Sequence, residues 1–343
     1  SRTVPEPSSQ LSVAMRVVLG LAGGAAASLP VLSSLDPKAI TVSGISSGGF
    51  MAVQLHVAFS SRFTGVGVLA GGPFYCAQAD VAVALSSCMT SPSLISVTQL
   101  EAITRSTALT GTIDNPSNMA NDKVWLLSGT KDTVVHNGVV RKLEDYYGRF
   151  VKTDIKTVYN LPAEHSMVTN SFGNSCDFKG EPFINNCNFD AAGELLQFLL
   201  STTLTRPDNT TAPAAAEDFS QEPFLPQAGV DVSMNPTGYV YVPDKCKTGA
   251  AGSCRLHVAL HGCEQTIGLI DEQFVQHSGY NEWAEANGIV VLYPQAKRNT
   301  VNPKGCWDWW GFTGVDYASK LGVQQRAIMG MVDHMLGNGE VVV

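Results

Sequence analysis

The segment Gly44-Ile45-Ser46-Ser47-Gly48-Gly49 constrains this chain more than any other. A short β-type run, Ala39 to Ser43 (AITVS), leads into it, and an apolar helical pattern from Met51 to Phe59 leaves it. The backbone must turn from strand to helix within a few residues. Glycine at 44 and 48 suits so sharp a turn, because a side chain at either position would clash. Ser46 then stands at the tip, and the helix behind it aims its N-terminus at the same spot. There the backbone N–H of Ser47 can hold a developing oxyanion. The five-residue pattern is common by chance; its place between strand and helix makes Ser46 a candidate nucleophile.

A nucleophilic serine needs a base, and the base needs an orienting acid. Val124 to Ser128 (VWLLS) reads as a strand, and Gly129-Thr130-Lys131-Asp132 follows it directly. Lys152 to Leu161 reads as the next strand, with His165 just beyond it in PAEHSM. Taken singly, Asp132 is an ordinary turn or cap residue and His165 an ordinary loop histidine. Chain order, spacing and strand-end location together select both as partners of Ser46. His136 sits at a helix start, His56 on the helix after Ser46 and His334 on the last helix. His277 falls in a segment that periodicity does not place.

Phe63 to Ala70, Tyr239 to Val242, Leu256 to Leu260 and Ile289 to Leu292 are further strand-like runs. Val139 to Phe150, Phe189 to Leu200 and Gly322 to Leu336 read as helices, and residues 80–120 as loops and short helices. This alternation predicts an α/β fold, a mostly parallel sheet flanked by helices. Residues 201–222 have the Thr, Ser, Pro and Ala content of a linker, with a possible glycosylation sequon at Asn209.

One element is out of place. The strand ending in His-Gly that should precede the serine, and supply the second oxyanion donor, is absent from the 45 residues before Ser46. It occurs downstream, where Leu256 to Leu260 runs into His261-Gly262-Cys263. The chain order is therefore rotated, a circular permutation whose old ends are joined by the 201–222 linker. This predicts one catalytic domain over 31–343, Leu35 and Leu336 as neighbours, and the Cys263 N–H as oxyanion donor. The plainer alternative makes His261-Gly262-Cys263 a strand-end turn.

Composition narrows the partners. Hydrophobic residues are 44% of 343, too many for a disordered chain. Charged residues are 15% and the net charge is -8, with no Lys/Arg cluster, which argues against nucleic acid and suits a neutral substrate. Among eight cysteines, Cys76/Cys88, Cys176/Cys187 and Cys246/Cys254 are close in sequence, as small disulfide loops are, and none has CxxC spacing. Eight buried thiols are the alternative. Met15-Arg16 and the apolar run after it read as a secretory signal within an N-terminal extension, residues 1–30. That run is too short to span a bilayer, so no membrane role is expected.

GISSGGFMAVQLHVAFS, GTKDT, SCDFKGEPFINNCNFDAAG, LHVALHGCEQ, GYNEWAEANGIVVLYPQA and GCWDWWG together resemble the fungal-type extracellular poly(3-hydroxybutyrate) depolymerase family. The resemblance runs from about Leu35 to Leu336 and implies a circularly permuted, single-domain α/β-hydrolase fold. It implies Ser46, Asp132 and His165 as triad, and Ser47 and Cys263 as oxyanion hole. It also implies disulfides Cys76–Cys88, Cys176–Cys187, Cys246–Cys254 and Cys263–Cys306. Trp309, then Trp307, and Trp310 match the family's substrate-cleft wall; core packing against Cys263–Cys306 is the alternative for them. The loop from Ala296 to Gly305 is shorter than the family's, and Glu264 stands where the family has an uncharged residue. Both border the cleft. The expected activity is hydrolysis of short-chain polyhydroxyalkanoate by a secreted, monomeric serine esterase, with no metal or organic cofactor. Plant-wall acetyl or feruloyl esters, other polyesters, and a non-catalytic polymer-binding role are the competing expectations.

Overall fold

Runs such as GVGVL at Gly65–Leu69 and IVVLY at Ile289–Tyr293 are buried at every position, as strands covered on both faces are. The computed structural model describes residue 1 and residues 27–152, 155–208, 213–227 and 230–338. In chain order its strands are β1 (Leu35–Ile45), β2 (Gly65–Leu69), β3 (Lys123–Leu127), β4 (Ile155–Val158), β5 (Met167–Thr169), β6 (Asn174–Ser175), β7 (Ile184–Asn186), β8 (Glu217–Ser220), β9 (Thr237–Tyr241), β10 (Cys254–Leu260) and β11 (Ile289–Tyr293).

Eight of them form one sheet in the order β4-β3-β2-β1-β10-β11-β9-β8. The six strands from β4 to β11 are parallel to one another, and β9 runs antiparallel to both its neighbours. Side chains alternate between faces, as the period of a strand requires. Val124 and Leu126 enter the core shared with helices Ser47–Ala58, Asn137–Tyr147 and Val323–Met335. Trp125 and Leu127 enter the opposite core, shared with helices Ala191–Leu199 and Tyr280–Asn287. Among the described residues no helix is long and apolar enough to cross a membrane.

The rotated order places β1 at mid-sheet, between β2 and β10. The Leu32 N–H donates to the Met335 carbonyl (2.8 Å), and His334 Nε2 meets the Leu29 carbonyl (2.9 Å), so both ends of the domain lie side by side. All four disulfides join the expected pairs.

Several boundaries differ from expectation. The linker over 201–222 is shorter, because Glu217–Ser220 is the edge strand β8 and Phe219 is buried. A single apolar residue among polar ones gives no strand signal. Leu29, assigned to the N-terminal extension, belongs to the core, and Ser220 N–H donates to the Ala27 carbonyl at 2.9 Å. Val97–Leu109 is a longer helix than the loops and short helices expected there. The small sheet β5-β7-β6 was not foreseen, its strands being only two or three residues long. The signal run and the Asn209 sequon lie outside the described residues.

One buried polar chain crosses the middle of the sheet. Thr41 Oγ1 meets His257 Nδ1 and Ser43 Oγ meets His257 Nε2, both at 2.8 Å, and Ser43 Oγ also meets Tyr280 OH at 2.7 Å. Burial pushes His257 down to about 3, so the imidazole stays neutral in the fold. A histidine depressed this way adds no penalty above its unfolded value near 6.5. Below that pH the unfolded chain takes up a proton that the fold refuses, and stability falls. His257→Gln should therefore be less stable than wild type at pH 7.5, and the gap should close by about 2 kcal/mol at pH 5. Urea unfolding at the two pH values measures it; an equal gap at both would contradict a neutral His257.

Candidate active site

Ser46 adopts φ 55° and ψ -123°, a conformation costly for any residue with a side chain. It is held there by its own N–H, which donates to the Leu69 carbonyl (2.9 Å), and by its carbonyl, which accepts from Phe50 N–H (3.0 Å). The glycines do what the sequence asked of them. A β-carbon on Gly44 would lie 2.2 Å from the Gly48 carbonyl oxygen, and one on Gly48 would lie 2.4 Å from those of Leu260 and His261. The turn is thus pressed against the end of β10.

Asp132 and His165 come from the loops after β3 and β4. Asp132 Oδ2 lies 2.9 Å from His165 Nδ1, while Oδ1 accepts from the N–H groups of Val134 (2.9 Å) and Val135 (2.8 Å). An ionised carboxylate only accepts, so Nδ1 carries the hydrogen and Nε2 keeps its lone pair. Both side chains are buried. Ser46 and His165 line the same cleft, of about 720 Å³. Among the described residues no hydrogen bond closes the gap between hydroxyl and imidazole, as is common before substrate tightens such a site.

Ser47 opens the helix Ser47–Ala58. On the facing loop, Gly262 N–H donates to Gln265 Oε1 and Glu264 N–H to the Lys304 carbonyl, both at 2.7 Å. Between them the Cys263 N–H has no acceptor among the described residues. Gln265 is itself anchored to the carbonyls of Pro182 (3.2 Å) and Phe183 (2.9 Å). The Cys263–Cys306 disulfide and the Lys304–Glu264 ion pair (3.0 Å) tie this loop to the one after Ala296. The remaining histidines take other work. His261 donates through Nδ1 to the Gly262 carbonyl and accepts Ala296 N–H at Nε2; burial pushes it down to about 4. His56 is buried against Tyr147 and Asp122, His136 stands at the N-cap position of the helix Asn137–Tyr147 without a side-chain capping bond, and His277 stacks on Phe172.

Trp307 requires a correction. It is fully buried, its indole N–H donates to the His261 carbonyl (3.0 Å), and it packs beneath the Cys263 loop rather than lining the cleft. Trp309 and Trp310 do line the cleft. Trp309 lies flat on Phe50 at 4.2 Å, so mostly its edge is free, and Trp310 stands across it at 83°. Asp308 folds this wall. Its buried carboxylate accepts from the N–H groups of Trp310, Gly311, Phe312 and Thr313 and from the Thr313 hydroxyl. Burial still raises its pKa above the ordinary carboxylate value, against the pull of those donors. Sequence reasoning missed Asp308, Gln265 and also Glu164, which neighbours His165. Each gains its partners only in three dimensions, and no motif marks them. Among the described residues no cluster of His, Cys, Asp and Glu is arranged to hold a metal ion.

No family model matches the sequence. The chain is 36% identical over 342 residues to a polyhydroxybutyrate depolymerase of Talaromyces funiculosus, covering 97% of it. The chain belongs to the polyhydroxybutyrate depolymerase family. A second family relative, the poly(3-hydroxybutyrate) depolymerase of Delftia acidovorans, is 46% identical over 314 residues, and the match spans 62% of its length. Two solved family structures superpose over 91% of this chain and all of theirs. The crystal structure of PHB depolymerase from Penicillium funiculosum gives a TM-score of 0.81 at 33% identity. A PHB depolymerase variant complexed with an R3HB trimer gives 0.82 at 34%. These likenesses carry the permuted α/β-hydrolase fold.

The tryptophans should separate by experiment. Trp307→Ala should cost about 3–5 kcal/mol of stability, read by chemical denaturation. Trp310→Ala should leave the unfolding midpoint within a few degrees and weaken hydrolysis of polymer more than of small esters.

Proposed function

We propose that this protein is a secreted serine esterase that hydrolyses short-chain polyhydroxyalkanoate, such as poly(3-hydroxybutyrate), through an acyl-enzyme. The observation that carries the proposal is the Asp132–His165 pair, whose imidazole shares an apolar-walled cleft with the strained Ser46. The depolymerase names of the relatives, and the R3HB trimer bound by a structural neighbour, support the substrate class. Four disulfides support an extracellular site of action.

In this mechanism His165 Nε2 takes the Ser46 proton as Oγ attacks the ester carbonyl. Asp132 holds the tautomer and stabilises the imidazolium. The N–H groups of Ser47 and Cys263 bind the oxyanion. His165 then returns the proton to the departing alkoxide, which leaves as the alcohol end of the chain. Water, deprotonated by the same imidazole, attacks the acyl-enzyme and frees the carboxylate end and Ser46. The cleft walls, Phe50, Trp309 and Trp310 among them, suit a methyl-bearing polyester without charge.

Ser46→Ala should lower hydrolysis of poly(3-hydroxybutyrate) films and p-nitrophenyl esters by at least about 10⁴-fold, and Asp132→Asn by about 10³- to 10⁴-fold, with folding retained. Acid release from film, p-nitrophenyl ester and acetylated xylan, measured side by side, tests the substrate. Turnover of xylan acetate above that of film would replace the polyester assignment.

A further inference from the structure

The loop that bears the acid and the loop that bears the base run side by side. Their bases are joined through the backbone: Thr130 N–H donates to the Leu161 carbonyl (2.8 Å) and Lys131 N–H to that of Ala163 (3.1 Å). Gly129 lies so close to Ala163 that a β-carbon on it would sit 2.0 Å from the Ala163 oxygen. Beyond this point the loops are linked through side chains, and one link besides Asp132–His165 stands out. Glu164 is buried, and its carboxylate accepts from three donors. Oε1 takes the Thr133 hydroxyl; Oε2 takes the Thr133 N–H (3.3 Å) and the His165 N–H. Thr133 follows the acid, and His165 is the base itself. From the cleft side, Lys179 Nζ donates to Thr133 Oγ1 at 2.9 Å, completing the chain.

We propose that Glu164 is a positioning residue whose carboxylate straps the acid loop to the backbone of His165, and so sets where the imidazole stands relative to Ser46. The proposal rests on the serine-esterase reading above. The chemistry calls for a carboxylate. All three partners are donors, and a carboxylate offers only acceptors. The isosteric amide can keep both N–H partners on its oxygen only by turning its NH₂ toward the Thr133 hydroxyl, which would then have to stop donating and accept from that NH₂ and from Lys179 Nζ at once, so the strap is weakened. A side chain serving only as packing would tolerate that exchange. Misplacement of a catalytic group by about 1 Å can cost about 100-fold in rate, so a loosened strap is a kinetic lesion.

The test uses the full chain with Glu164→Gln, Thr133→Val, Thr133→Ser and the Glu164→Gln/Thr133→Val double variant. Four quantities are measured: the rate at which a p-nitrophenyl phosphonate modifies Ser46, kcat and KM on p-nitrophenyl butyrate, and the thermal midpoint. Glu164→Gln and Thr133→Val should each slow phosphonylation and kcat by about 10- to 100-fold with KM within about twofold. Thr133→Ser, which keeps the hydroxyl, should restore most of the rate. The double variant should be little slower than the slower single, because both cut one link. A Glu164→Gln protein phosphonylated at the wild-type rate would overturn the strap, as would Thr133→Ser as slow as Thr133→Val. A lower midpoint with unchanged kcat per folded molecule would make Glu164 a structural residue only. A wild-type protein inert to the phosphonate would instead overturn the serine assignment beneath it. Thr133 is exposed, so its variants keep the test decisive even where Glu164→Gln folds poorly.

Discussion

The close approach of the Ser46 turn to the end of β10 is the constraint on which the rest of this structure depends. Gly48 allows the backbone after Ser46 to lie against the carbonyls of Leu260 and His261, and Gly44 allows the turn to fold back on itself. Those contacts force Ser46 into its positive-φ conformation and bring the Cys263 loop alongside the first turn of the helix Ser47–Ala58. Neighbouring groups then fix what remains adjustable. His261 braces the loop from below through two backbone partners, Gln265 from behind, and the Cys263–Cys306 disulfide from the side. The strain at one serine is met by contacts distributed across two loops and a strand.

The same economy governs the acidic side chains. Asp132, Glu164 and Asp308 are all buried, and none has a lysine or arginine partner among the described residues. Each is instead solvated by N–H and O–H groups, three for Asp132, three for Glu164 and five for Asp308. Backbone donors are fixed in space and cost little reorganisation, so such carboxylates shape loops more sharply than surface ion pairs do. One holds the His165 imidazole, one bonds Thr133 to the His165 backbone, and one folds the tryptophan wall.

Much of this was legible in the sequence because it resided in local pattern. The strand–turn–helix around Ser46, the strand-end positions of Asp132 and His165, and the displaced His261-Gly262-Cys263 each occupy a few consecutive residues. Their order predicted the rotated chain, the sheet class and the contact between the two ends of the domain. What stayed hidden depends on distant partners. Trp307 and Trp309 share the same short motif, and nothing local says that one supports the floor while the other faces the cleft. Glu217–Ser220 is polar apart from Phe219, so its strand exists only because β9 lies beside it. Glu164 sits next to His165 in sequence, yet its hydrogen-bond partners appear only when Thr133 is brought against it.

The rotation of chain order also dictates when the sheet can close. β1 finds β2 after 24 residues, the separation of Thr41 and Gly65. Its other neighbour, β10, is paired across a gap of 216 residues, the separation of Thr41 and His257. Until the ribosome has delivered that strand, the middle of the future sheet presents a bare hydrogen-bonding edge flanked by apolar side chains. Closing so long a loop is slow, and an open edge invites pairing with other chains meanwhile. By placing the Ser46 strand ahead of them, the permutation leaves one edge of β1 open until β10, and after it β11, have been made.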